Sequence, residues 1–188
     1  MSNSHVEVSV EILESCIRPL LGIPYLDYRS AGAAYETAPW WMMAKPNIDL
    51  ARRTGAHCIG FFNLLLAQMD APRRSKGTGY LWHDLRIWRQ PLTETEVPQI
   101  GDLLLRCFRS NEDQGHVALL LPQGLVHCYW IPDLERKTKP MDVLQSPGVA
   151  LDSTWESSHA WCDDGYYEAR VPLEDWTRWA FSEEVEKR

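Results

Sequence analysis

The feature that most constrains the fold of this chain is an apolar segment headed by a cysteine. It reads Cys58-Ile59-Gly60-Phe61-Phe62-Asn63-Leu64-Leu65-Leu66-Ala67 and follows a short loop, Gly55-Ala56-His57. Apolar residues would cover nearly every side of a helix here, so the sequence predicts a buried central helix over residues 58–69. Cys58 would then lie at the helix start, where free N–H groups and the positive end of the helix dipole favour a thiolate.

The remaining hydrophobic periodicity predicts helices before the central helix and strands after it. A first helix is expected over residues 6–21, a second short one over 80–88 and a closing one over 173–181. Strands are expected at 103–108, 117–121, 125–130, 149–151 and 166–171. This order predicts an α+β fold in which N-terminal helices, the central one included, pack against an antiparallel sheet. At 188 residues a single domain is expected, with insertions at about 30–54, 70–98 and 131–164.

Charge and composition exclude several classes of protein. The net charge of -7 argues against binding to nucleic acid or to acidic membranes, because both need a basic surface. Neither a secretory signal nor a membrane-length apolar run is visible, so a cytoplasmic protein is expected, with delivery elsewhere by a dedicated route as the alternative. The five cysteines are scattered without a Cys-x-x-Cys pair, which predicts no disulfide framework and no structural zinc site. No His, Cys or carboxylate cluster has the spacing of a metal site, so we expect no metal, and we also expect no cofactor.

A histidine far along the chain complements Cys58. His116 heads the apolar strand Val117-Ala118-Leu119-Leu120-Leu121. A cysteine on a helix start and a histidine on a sheet are the parts of a nucleophile and base pair. His57, the neighbour of Cys58, is a second candidate base or a substrate contact.

Three blocks of the sequence resemble the NlpC family of papain-like cysteine peptidases, most of which are bacterial cell-wall hydrolases. The blocks are Leu21-Gly22-Ile23-Pro24-Tyr25, Cys58-Ile59-Gly60-Phe61, and Ile100-Gly101-Asp102-Leu103-Leu104 with His116-Val117-Ala118-Leu119 and Val126-His127. The resemblance implies a papain-like core, Cys58 as nucleophile, His116 as base, His127 as its orienting residue and Tyr25 as an oxyanion donor. Two departures are that His57 stands where the family usually has Asp, and Ile59 where it has Ser. The spacing from Tyr25 to Cys58 is also longer than is usual in the family.

The predicted hairpin between the two histidines presents a problem of distance. A turn at Gln123-Gly124 would put His116 and His127 on one face but offset them by four residues, roughly 13 Å at ~3.3 Å per residue. A bulge or another register would be needed to bring the rings together. Asp152 and His159 are therefore reserve candidates for the third residue, and Tyr28 is a substitute for Tyr25.

Together these residues predict hydrolysis of an amide in a small peptide-like substrate, such as a peptidoglycan stem peptide, through a thioester. Nine tryptophans, with Trp40 and Trp41 just ahead of the nucleophile, predict an aromatic groove between the 30–54 insertion and the sheet edge near His116. The substrate is expected to carry a polar or cationic end. Two alternatives stay open: an acyltransferase or thioesterase using the same Cys and His, and a non-catalytic binding module. The sequence assigns no oligomeric state.

Overall fold

The computed structural model describes residues 7–25, 45–93, 97–110, 115–128, 148–152 and 167–182. In these ranges helices pack on a six-stranded antiparallel sheet, which confirms the α+β class at this level. The helices are α1 (Val10–Ile17), continued by a 3-10 turn (Arg18–Leu20), α2 (Ile48–Thr54), α3 (Cys58–Gln68), α4 (Thr78–Asp84) and α5 (Leu173–Phe181). The strands are β1 (Gln90–Pro91), β2 (Leu103–Arg106), β3 (His116–Leu121), β4 (Gly124–Cys128), β5 (Val149–Asp152) and β6 (Ala169–Val171).

Helix α3 is the centre of the core, as its sequence predicts. Every residue from Ile59 to Leu66 is buried. Phe62 packs against two indoles of α5, edge-on to Trp176 at 6.0 Å and stacked on Trp179 at 6.2 Å between ring centroids. The one polar side chain in this run is Asn63. Its amide donates a 2.8 Å hydrogen bond to the carbonyl of Ser75 and accepts one of 2.8 Å from the N–H of Ser75, so the buried amide has both a donor and an acceptor partner.

The sheet has the order β1-β6-β2-β3-β4-β5, and each pair of neighbours is antiparallel. Because side chains alternate along a strand, its two faces carry different clusters. One face packs against α3 through residues that include Val117, Leu119, Val126 and Cys128. The other face carries a smaller cluster of Leu104, Ala118, Leu120, Leu125 and Tyr167.

Local capping explains where the elements begin. Ser9 accepts a hydrogen bond from the N–H of Ile12, so α1 begins at Val10 and not at residue 6. Asn47 caps α2 in the same way. Strand β1 is absent from the sequence prediction because two residues, one of them Pro91 on an edge, give no alternation to detect.

A buried ion pair joins the turn before β2 to β6. The Asp102 carboxylate accepts hydrogen bonds of 2.9 Å from Arg170 and from the N–H of Gln99. Burial raises the pKa of Asp102, and these hydrogen bonds oppose that shift. Next to it, the Trp176 indole donates a 2.9 Å hydrogen bond to the carbonyl of Gly101, which ties α5 to the same turn.

Candidate functional site

Two buried histidines lie in direct contact on neighbouring strands. His116 Nε2 and His127 Nδ1 are 3.0 Å apart, and the rings are nearly perpendicular, with centroids 5.2 Å apart. The residues are only 7% and 5% exposed. The structure therefore brings together the two imidazoles that the sequence nominated as base and orienting residue.

The register of the hairpin differs from the predicted one, and the difference closes the gap. Leu121 pairs with Gly124, so the two turn residues are Pro122 and Gln123, and the turn predicted at Gln123-Gly124 is wrong. His127 consequently lies opposite Ala118, two residues from His116 instead of four. Such diagonal neighbours on one face lie about 7–8 Å apart at the backbone, within reach of two aromatic rings, and no bulge is needed.

A glycine fixes the start of the strand that carries His116. Gly115 has a φ of 74°, in the left-handed region that glycine adopts readily. A Cβ built there would lie 2.6 Å from the carbonyl oxygen of Arg106 and 2.8 Å from the nitrogen of Phe108. Only glycine can lie this close to the backbone of β2, so Gly115 fixes the backbone position from which the His116 side chain extends.

Burial keeps both imidazoles of the pair neutral near neutral pH. Burial lowers the pKa of His127 to about 3. It also lowers the pKa of His116 well below 6.5, helped by the neighbouring His127 and by the positive charge of Arg106, the residue opposite His116 in β2. If His116 donates from Nε2 to Nδ1 of His127, its Nδ1 carries the lone pair of a base.

The nucleophile candidate, Cys58, is the first residue of α3 and is partly exposed. Cys128 is not a comparable nucleophile, since burial, and to a lesser extent the electrostatic effect of Cys58, raise the pKa of the Cys128 thiol well above 9.0. Burial likewise raises the pKa of Cys16. Cys107 is partly exposed but follows a strand, and Cys162 lies outside the described residues. Of the cysteines described, Cys58 alone combines a helix N-terminus with partial exposure.

Cys58 and the histidine pair belong to the same end of the sheet. The Cys128 thiol, at the end of β4, lies 3.0 Å from the carbonyl of Ala56, in the loop before α3. Because β3 and β4 are antiparallel, His116 at the start of β3 is at that end too. Strand alternation puts the two histidines on the face of the Tyr167 cluster, whereas Cys128 is on the α3 face.

His57 has a local role at the start of α3. Its Nδ1 lies 3.2 Å from the N–H of Gly60 and accepts a hydrogen bond from it, so His57 is the N-cap of the helix. Burial lowers the pKa of His57 to about 4. With Nδ1 accepting, the neutral ring carries its proton on Nε2, which makes it a donor and leaves no lone pair for a second base.

The other predicted residues are only partly described. The backbone of Tyr25 forms a parallel bridge with Ala56, which holds it beside the loop before Cys58. Asp152 ends β5 and pairs with Leu125. Tyr28, Trp40, Trp41 and His159 lie outside the described residues. Of the insertion that carries the tryptophans, the described part is a short stretch containing α2, which leads through Gly55 to Cys58.

Sequence reasoning missed Tyr167, which contacts the histidine pair. Its hydroxyl lies 3.4 Å from His127 Nδ1, and its ring centroid is 6.1 Å from that of His116. Tyr167 precedes β6, which is two strands away from β3 in the sheet, so no local pattern connects it to His127. Only the order of the strands brings it there.

No group of three or more His, Cys, Asp or Glu side chains in the described part of the chain has the arrangement of a metal site. None of the described helices has the length and apolar character needed to cross a bilayer. Comparisons with protein-family models, with curated proteins and with solved structures found no match to this chain.

Proposed function

We propose that this chain is a cysteine-dependent hydrolase that cleaves an amide bond in a small peptide-like substrate through a thioester. The observation that supports this most is the 3.0 Å contact between His116 and His127 at the end of the sheet where α3 begins with Cys58. A thiol, a base and a residue that orients the base are the minimum set for this chemistry. We further propose that the helix and sheet form a papain-like core.

In the first half of the reaction, the Cys58 thiol transfers its proton to Nδ1 of His116 while the sulfur attacks the substrate carbonyl carbon. His116 then gives this proton to the leaving amine as the C–N bond breaks, which leaves a thioester on Cys58. The hydrogen bond from His116 Nε2 to His127 stabilises the imidazolium formed in between. For this step the thiol must reach the His116 ring around the end of the sheet.

In the second half, His116 takes a proton from water as the water oxygen attacks the thioester. Collapse of that intermediate releases the carboxylic acid, and the proton returns to the Cys58 sulfur. In both halves the negative oxygen needs donors. The N–H of Cys58, at the first position of α3 and near the positive end of the helix dipole, is one candidate donor. Tyr25, held beside Ala56, is the other.

The charge near the base bears on the substrate. Arg106 lies opposite His116 in β2, and its charge acts on the imidazole. A cation at this position disfavours a positively charged substrate group next to the scissile bond. We therefore propose a substrate that is neutral or anionic beside the scissile amide, while a cationic group, if present, lies further away.

The test is a panel of peptidoglycan stem peptides and other small peptide amides, assayed for released amine, beside long-chain acyl esters. The variants are Cys58→Ser and, as a matched control, Cys107→Ser, which alters another partly exposed cysteine. We expect amide turnover that Cys58→Ser abolishes and Cys107→Ser retains. Turnover of acyl esters alone would favour an acyltransferase or thioesterase. Amide turnover that survives in Cys58→Ser, or no turnover of any substrate, would contradict the proposal, and the latter would favour a binding module.

A further inference from the structure

Tyr167 is a buried tyrosine whose hydroxyl faces the histidine pair. It is 5% exposed and belongs to the cluster on the histidines' face of the sheet. Its oxygen lies 3.4 Å from Nδ1 of His127, the same atom that contacts Nε2 of His116 at 3.0 Å. One ring nitrogen of His127 therefore faces two polar neighbours.

The chemistry of these three groups favours one arrangement of protons. A phenol O–H is a good donor, and an imidazole nitrogen without a proton is a stronger acceptor than a phenol oxygen. If Tyr167 donates to His127 Nδ1, that nitrogen carries a lone pair and the His127 proton is on Nε2. His116 can then donate only from Nε2, and its own Nδ1 is left as the proton acceptor.

We propose that Tyr167 is a positioning residue that holds His127 in the Nε2–H tautomer and so leaves His116 Nδ1 as the basic nitrogen. This inference rests on the proposed function, since it concerns the base of that reaction. Without the Tyr167 hydroxyl, His127 can place its proton on Nδ1. His116 Nε2 then becomes the acceptor, the His116 proton moves to Nδ1, and the base is blocked.

The first test is nitrogen NMR of the histidine rings in the full chain, comparing the wild type with Tyr167→Phe, which keeps the buried ring and removes only the hydroxyl. Tyr80→Phe is the matched control, because Tyr80 is 61% exposed on α4. We expect Nδ1 of His127 to be unprotonated in the wild type, and its signal to move upfield, toward that of a protonated ring nitrogen, in Tyr167→Phe but not in Tyr80→Phe. A proton on Nδ1 of His127 in the wild type, or an unchanged signal in Tyr167→Phe, would overturn the inference.

The second test is the rate at which iodoacetamide alkylates Cys58 at neutral pH. One neutral hydrogen bond changes an equilibrium by about threefold to tenfold, so we expect Tyr167→Phe to slow alkylation by about that factor. An unchanged rate in Tyr167→Phe, where His116→Ala does slow alkylation, would also overturn the positioning role. The NMR signals need no turnover, so the tautomer assignment and the hydrolase proposal can fail separately. An unaltered Cys58 rate in His116→Ala would contradict the hydrolase proposal, and the NMR signals alone would then decide the tautomer.

Discussion

Three buried neutral histidines should make the fold unusually sensitive to mild acid. His57, His116 and His127 are each less than 10% exposed, and burial lowers the pKa of all three. In the unfolded chain these rings take up protons near their ordinary pKa of 6.5. Between that value and the folded pKa, the unfolded state binds more protons, so the free energy of unfolding falls as the pH falls.

The size of the effect follows from the two pKa values that burial sets. Because the pKa of His57 is about 4 in the folded state, its titration should lower the free energy of unfolding by about 2 kcal/mol between pH 7 and about pH 5. The pKa of His127 is about 3 in the folded state, and its titration should lower the free energy of unfolding by a similar amount, about 2 kcal/mol, over the same interval. The lowered pKa of His116 also makes the free energy of unfolding fall as the pH falls. A loss of about 4 kcal/mol or more is a large part of the 5–15 kcal/mol that typically stabilises a domain.

The assay is urea unfolding followed by tryptophan fluorescence at several pH values from about 7 to 5. His57→Asn keeps a residue that can cap α3 but removes one titrating group. The number of protons taken up on unfolding, which sets the slope of the free energy of unfolding against pH, should therefore be smaller by about one in this variant. His83→Asn is the control, because the His83 side chain is 73% exposed. A wild-type free energy of unfolding that is constant to within about 1 kcal/mol over this range, or an identical slope in His57→Asn, would refute the reasoning.

Further substitutions test the geometry of the site and of the sheet. Gly115→Ala places a Cβ against the Arg106 carbonyl at a positive φ, so we expect a loss of about 1–3 kcal/mol in urea unfolding and slower alkylation of Cys58. A stable variant with normal alkylation would show that Gly115 does not position His116. Asp102→Ala leaves Arg170 without its buried carboxylate, and we expect a cost of about 3–5 kcal/mol, against less than about 1 kcal/mol for Asp49→Ala, whose ion pair is exposed. Equal costs for the two variants would contradict the assigned burial.

Elements with a strong local signal were predictable from the sequence. Helix α3 and helix α5 occur where the apolar pattern predicts them, because each buries a face that can be read from consecutive residues. Strands β3 and β4 were also predicted, but their register was not. Pro122 and Gly124 both favour turns, and the register depends on which of them belongs to the two turn residues.

A site residue could be predicted from the sequence when the residues next to it in the chain indicate its chemical role. Cys58 before an apolar run and His116 at a strand start can both be found in this way. Tyr167 cannot, because its contact with His127 arises from the pairing of β6 with β2, a long-range feature of the sheet. The capping role of His57 could have been found, since a polar residue directly before an apolar helix is a typical N-cap position.

The most direct test of the central claim is the alkylation of Cys58 by iodoacetamide at neutral pH in the wild type, His116→Ala and His127→Ala, with each cysteine followed by mass spectrometry. We predict that Cys58 is labelled before Cys16, Cys107, Cys128 and Cys162. We also predict that His116→Ala slows its labelling by at least about tenfold and that His127→Ala slows it less, because a base contributes more than the residue that orients it. If another cysteine reacts first, or if Cys58 reacts equally fast without His116, Cys58 and His116 do not form a catalytic pair.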